Sequence, residues 1–329
     1  MTRHLQFGWL LALLAGLAVL GTAAGTRAAD GAPDDKEIKA VVDKAVDFYK
    51  KRQGDDGSFS PKFGGPGITA LVVASMLKQG VSIDDPVVAK ALDYLEKNVQ
   101  KDGGIYQKKL ANYTTSVALI ALTEANTKGK YDAVIKNAAK FLKTLQFDES
   151  LVEDKDVKFG GAGYDKNDRP DLSNTQYFVE ALLAAGVPKN DKSIQNALKF
   201  ISRCQNLPGE TNDQPWAAKT TADDKGGLVY NPIASDKTTT PEGGMRSAGV
   251  MTYAGLKSFL YAGVNKDDKR VQAAVDWIRR HYSVDQNPGQ GTSGLYYYYH
   301  TFGKAMSALG EDNFADDKGA KHDWRRDLF

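Results

Sequence analysis

The clearest pattern along the chain is a helical spacing of apolar positions that returns five times: Val42-x-x-Ala45-x-x-Phe48, Val88-x-x-Ala91-x-x-Tyr94-Leu95, Ile135-x-x-Ala138-x-x-Phe141-Leu142, Ile194-x-x-Ala197-x-x-Phe200-Ile201 and Val271-x-x-Ala274-x-x-Trp277-Ile278. Intervals of three and four put these residues on one helix face. Charged residues fill the other face, so each segment predicts an amphipathic helix. Four of them follow short acids or Asn, at Asp34-Asp35, Asp84-Asp85, Asn190-Asp191 and Asp267-Asp268, which supply N-cap acceptors and favourable charge at a helix start. Pro86 suits a first helical position, where no N–H is needed.

A second predicted helix follows each of these, over 67–79, 113–125, 173–185, 249–262 and 297–309, and its residues are small or apolar nearly all round. Four of these helices end at Gly80, Gly186, Gly263 and Gly310, the residue type that closes a helix in the left-handed conformation. The first set is therefore predicted to be outer and the second inner and buried. No strand pattern competes. Such helix pairs cannot bury their apolar faces alone and must stack, into an open solenoid or a closed ring.

Polar turns join the two helices of each pair. Outer helices end at Gln53, Gln100, Gln146, Gln205 and Gln286, and Gly and an aromatic follow: Gly57 with Phe59, Gly103 with Tyr106, Gly161 with Tyr164, Gly227 with Tyr230 and Gly294 with Tyr296. This order resembles the QW repeat of squalene and oxidosqualene cyclases and of protein prenyltransferase β-subunits, with Phe or Tyr at or near the usual Trp. The segments Arg169-Pro-Asp-Leu-Ser-Asn-Thr-Gln176, Cys204-Gln-Asn206, Met251-Thr-Tyr-Ala-Gly-Leu256 and Tyr296-Tyr-Tyr-Tyr-His300 resemble the secreted bacterial prenyltransferase/squalene-oxidase repeat proteins. The resemblance implies an all-α fold, an α/α toroid of about five outer/inner pairs around a central cavity. The expected organisation is a signal peptide at 1–29, the toroid at 30–310 and a C-terminal tail at 311–329.

The start of the chain predicts export. Arg3 and His4 precede an uncharged, mostly apolar run from Gly8 to Gly21, and small residues follow to Ala29. The run is shorter than the roughly 20 residues of a membrane span, and cleavage is expected between Ala24 and Ala29. A secreted or periplasmic protein without a transmembrane segment in the mature chain is the expectation. With 43 basic and 41 acidic residues interspersed, no basic face for nucleic acid is predicted. Lys321–Arg326 is locally basic and reads as part of a solvated tail. The single cysteine, Cys204, excludes an internal disulfide and is expected to be a buried core residue.

The resemblance also says which chemistry to look for. Squalene-type cyclases protonate an alkene with the acid of a D-x-D-D-T motif. The matching stretch here is Asp171-Leu-Ser173-Asn174-Thr175, so Ser and Asn stand where the proton donor and its partner would be. Asp171 then serves more simply as a helix cap. The zinc ligands of the prenyltransferases are not matched, because Ser202 stands two residues before Cys204; no metal and no cofactor are expected. Asp171 and His300 remain the catalytic candidates. The two longest connections, 147–172 and 206–248, both lead into inner helices, so both fall on one rim, where ligand sites collect. Asn174, Tyr177, Arg246, Tyr253, Tyr299 and His300 are the ligand-binding candidates there. Three function classes stay open: a binding or recognition protein for an isoprenoid or lipid-like molecule or a protein partner, an enzyme on isoprenoid substrates, and a polysaccharide-active toroid enzyme.

Overall fold

The computed structural model describes residues 32–59, 61–235 and 238–329; the predicted signal peptide lies outside them. Outer helices α1 (Asp35–Lys50), α3 (Pro86–Lys97), α5 (Asp132–Lys143), α7 (Lys192–Arg203) and α9 (Lys269–Arg280) alternate with inner helices α2 (Pro61–Lys78), α4 (Ala111–Ala125), α6 (Leu172–Ala184), α8 (Gly249–Tyr261) and α10 (Leu295–Leu309). Asp34, Asp85, Asp191 and Asp268 each cap their outer helix, and Asp34 forms a capping box with Glu37. The inner helices pack side by side in chain order, α2 on α4, α4 on α6, α6 on α8 and α8 on α10. Their polar residues near the middle are as buried as their apolar ones, as expected of helices enclosed by a ring.

The recurrent turn acts as a clasp between repeats. The side chain of Gln146 donates to the Gly160 carbonyl of its own turn and to the Ser193 carbonyl at the start of the next outer helix, both at 2.9 Å. Gln53 does the same with Gly57 and Val87, and Gln205 with Gly226 and Arg270. The glycines let the turn approach that helix. Gly160 has φ 85°, and a Cβ on it would lie 1.9 Å from the Asn196 carbonyl oxygen; at Gly226 the distance to Ala273 would be 2.1 Å. The next glycines, Gly161 and Gly227, lie against Phe200 and Trp277, which explains the aromatic that recurs on each outer helix. Two residues past the first glycine, the N–H of Phe59, Ile105, Ala162 or Leu228 donates to the hydroxyl of Thr69, Thr115, Thr175 or Thr252 on the inner helix. The aromatics aligned by sequence thus do not share one place. Phe59 is a buried structural residue in register with Ile105, Ala162 and Leu228, whereas Tyr164, Tyr230 and Tyr296 are among the exposed large side chains.

The C-terminal segment is packed, not a solvated tail. Phe314 and Trp324 are buried. Phe314 and His322, on the short antiparallel strands β1 (Phe314–Ala315) and β2 (Lys321–His322), stack on Tyr282, and Trp324, at the start of α11 (Trp324–Leu328), meets Phe302 of α10. Arg326 forms two hydrogen bonds to the Glu37 carboxylate, at 3.2 and 3.0 Å. The sequence suggested a solvated end because its charges are dense, but the aromatics spaced among them carry the packing. The segment thus ties the last repeat to the first.

Candidate functional site

A cavity of about 440 Å³ opens between the first, second, third and last inner helices. That volume lies within the range of small-molecule sites. Its wall is Tyr49 of α1, Ile68, Leu71, Val72 and Ser75 of α2, Leu110 and Tyr113 at α4, Tyr164 of the 147–172 connection, Ser173 and Tyr177 of α6, and Tyr296, Tyr297 and His300 of α10. Among these described lining residues none is a carboxylate. The tyrosines brace one another: Tyr177 meets Tyr113 edge-on with ring centroids 5.4 Å apart and stacks on Tyr297 at 6.3 Å. The Tyr297 hydroxyl shares a hydrogen bond of 2.9 Å with Ser173 and accepts one from Gln176. Burial pushes the Tyr113 hydroxyl up to about 12 and those of Tyr177 and Tyr297 up as well, so all three are neutral donors at ordinary pH.

The structure brings two of the predicted ligand residues, Tyr177 and His300, to this wall. The others are elsewhere. Asn174 is buried and donates to Asp171. Tyr253 is in the core against Tyr298 and Phe302. Tyr299 turns its hydroxyl back to the Val284 carbonyl at 2.7 Å. Arg246 is exposed in the long connection before α8. Helical rotation separates these residues: Tyr297 and His300 are three apart and share a face, from which Tyr298 and Tyr299 are turned away. Asp171 caps α6, with its carboxylate accepting from the Asn174 N–H and side-chain amide at 2.8 Å each. Burial raises its pKa against those hydrogen bonds.

The sequence reading missed a charged cluster just under the wall. Lys257 of α8 and Lys304 of α10 each donate to a different oxygen of Glu180 on α6, both at 2.6 Å, and all three side chains are buried. Lys257 also bonds Gln176 and lies 5.6 Å from the Tyr177 ring centroid. Burial alone would raise the Glu180 carboxyl, but the two ammonium groups outweigh it and hold it below the usual carboxylate range. Burial, reinforced by Lys257, brings Lys304 down to about 7 against the pull of Glu180. His300 is pushed well below its usual value by burial and by Lys304 and Lys257. The signal available in the sequence was a lone charge within each of three otherwise apolar inner helices. No group of three or more His, Cys, Asp or Glu side chains placed to hold a metal ion is present among the described residues.

A ring of helix pairs clasped at Gln–Gly turns, with a central aromatic cavity, defines an α/α toroid of the terpene cyclase type. The sequence profile of the squalene-hopene cyclase C-terminal domain matches residues 62–223, and the chain is squalene-cyclase-like. Over 146 residues, 43% of this chain, it is 28% identical to the squalene–hopene cyclase of Zymomonas mobilis. That stretch spans only 22% of the curated relative's length. Among solved structures, a variant of the type II terpene cyclase MstE from Scytonema, in complex with geranylgeranyl dihydroxybenzoate, is similar with a TM-score of 0.53 and 13% identity, covering 93% of this chain and 88% of that one. A protein from Actinoplanes is similar to the same degree, with a TM-score of 0.53 and 13% identity over 93% and 90% of the two chains. At that identity the likeness is one of fold.

Proposed function

We propose that this chain is an exported, squalene-cyclase-like binding protein that holds an apolar, isoprenoid-type molecule in the tyrosine-walled cavity and does not cyclise it by the standard acid mechanism. The observation that carries this is the cavity wall: aliphatics mainly from α2, tyrosines from four other helices and the 147–172 connection, and no carboxylate among the described lining residues to protonate an alkene. Such a surface suits an unsaturated chain, with tyrosine faces against its double bonds and a few hydroxyls to orient one polar group. The sequence around Asp171 supports the same reading, since Ser173 and Asn174 occupy the acid positions. Among the described lining residues there are no paired carboxylates for sugar hydrolysis either, which favours an apolar ligand over a polysaccharide.

The test is native mass spectrometry of the protein purified from its own host, followed by incubation with squalene. A co-purifying isoprenoid mass and unchanged squalene are expected. A cyclised product that disappears in Asp171→Asn would overturn the absence of acid catalysis. Export is checked separately by N-terminal sequencing of the mature protein, which is expected to begin after one of residues 24–29.

A further inference from the structure

The outer helices differ in charge. Acids and bases balance on α1 and on α3, whereas α5, α7 and α9 are net basic. On α7 and α9 a long connection lies along the helix and answers that charge. Glu149 and Asp154 of the 147–172 connection pair with Lys192 and Lys199, and the carbonyls of Asp154 and Asp156 accept from Arg203 at 2.9 and 2.8 Å. In the 206–248 connection Glu210 pairs with Lys269 at 3.8 Å, at the start of α9, and Asp223 bonds His281 at 3.0 Å, at its end. In both cases the residue numbers of connection and helix rise together, so each strap runs alongside its helix in the same direction.

Among the described residues α5 carries no acidic strap. The connection before α4, 98–110, is short and meets α5 at Asn137 through the Gly103 turn. Lys136 and Lys140 are exposed and have no carboxylate partner among the described residues. Lys140 occupies the repeat position of Lys199, which holds Asp154. The two lysines border a groove of about 700 Å³ whose apolar floor is Ile135, Ala139, Ala184, Ala185 and Val187. The equivalent groove beside α7, of about 470 Å³, is walled in part by Glu210, Thr211 and Asp213 of the 206–248 connection. Among the described residues lining the α5 groove the one carboxylate is Asp132, at the start of the helix, where it accepts from Asn126 at 2.7 Å. Lys143, at the other end, pairs with Asp191.

We propose that the α5 groove docks an extended acidic segment of a partner protein, laid along α5 as the chain's own connections are laid along α7 and α9. The charge is complementary, and the small residues of the floor let a strand of chain approach closely. Lys136 and Lys140 are one turn apart, a rise of about 6 Å. In an extended chain residues i and i+2 point the same way at about 7 Å. The segment therefore presents two acids separated by one residue, with an apolar side chain beside them for the floor. This surface is on the outside of the ring and does not depend on what the cavity holds.

The experiment pans a displayed library of random peptides on the folded mature chain and measures the selected sequences by fluorescence anisotropy. Peptides with an acid-x-acid motif are expected to be selected. The paired change Lys136→Glu and Lys140→Glu, at two exposed positions, is expected to weaken them about tenfold, and Lys90→Glu on α3 is expected to leave them unchanged. Raising the salt from about 0.05 to about 0.5 M is expected to weaken binding to the wild type and to narrow its difference from the paired variant. Circular dichroism checks that the variants are folded. Selection of peptides without the acids, no selection at all, or equal binding to wild type and paired variant overturns the inference. A dimer in analytical ultracentrifugation that the paired change dissolves overturns it in favour of a second copy of this chain. Capture of phosphatidylglycerol vesicles with no peptide selected overturns it in favour of an anionic lipid surface.

Discussion

At the scale of single residues, burial decides what each polar side chain can do. Cys204 is fully buried, and burial raises its thiol well above the ordinary value. Native protein is therefore expected to resist a thiol reagent such as DTNB at pH 8 and to react only on unfolding, and Cys204→Ala is expected to cost no more than about 1–2 kcal/mol. Fast labelling of folded protein would contradict this. The Lys257–Glu180–Lys304 cluster is the opposite case, a set of charges that must stay together. Glu180→Gln leaves two buried ammoniums without their carboxylate and is expected to destabilise by roughly 3–5 kcal/mol, measured by urea unfolding. The sign of the pH effect follows from Lys304. Its folded pKa, about 7, lies below its unfolded value, so between the two the unfolded chain binds more protons and stability rises with pH. From pH 7 to 9 the wild type is expected to gain stability relative to Lys304→Met, and below pH 7 the difference is flat. Cys204 could be placed from its spacing to Phe200 and Ile201 alone. Glu180, Lys257 and Lys304 could not be joined that way, because they are 77 and 124 residues apart in the two pairs and meet only where three helices converge.

At the scale of elements, the clasp between repeats governs stability. Gly160→Ala forces a Cβ to within 1.9 Å of the Asn196 carbonyl oxygen and places Ala at φ 85°, whereas Gly186, with φ 81°, has nothing within 4 Å of its Cβ. Gly160→Ala is expected to cost more than about 2 kcal/mol and Gly186→Ala about 1 kcal/mol, the strain of the left-handed conformation alone. Thermal unfolding of the two variants side by side separates steric clash from backbone strain. Gln146→Ala, which leaves the buried Gly160 and Ser193 carbonyls without their donor, is expected to lose about 1–3 kcal/mol by the same measurement. The helices, their acid caps and their closing glycines were all legible in the chain, since each depends on neighbours within a few residues. The function of the Gln–Gly turn was visible only as a recurrence, because its partners are the carbonyls of the next outer helix.

At the scale of the whole molecule, the seam between first and last repeats is the weak point. Ala45 and Val46 are the buried residues of α1, far fewer than on the other outer helices, yet its Tyr49 lines the cavity. Removing residues 311–329 exposes the aromatics around Tyr282 and Phe302 and releases Glu37 from Arg326. Losing the burial of Phe314 and Trp324 is expected to cost roughly 3–5 kcal/mol, and hydrogen exchange in α1 is expected to speed up beyond that of α5. Unchanged exchange in α1 would show that the C-terminal segment does not hold the seam. By itself the sequence determined the all-α repeat, the alternation of outer and inner helices and the burial of Cys204, because periodicity and capping act over one or two turns and survive any arrangement of the repeats. Only the tertiary structure decided which tyrosines face the cavity, that Arg246, Tyr253 and Tyr299 do not, that the charged C-terminus packs on the ring, and that three lone charges on separate helices form one buried cluster. Those are consequences of helix rotation and ring curvature, which set distances between residues far apart in the chain and leave no mark on any local stretch of it.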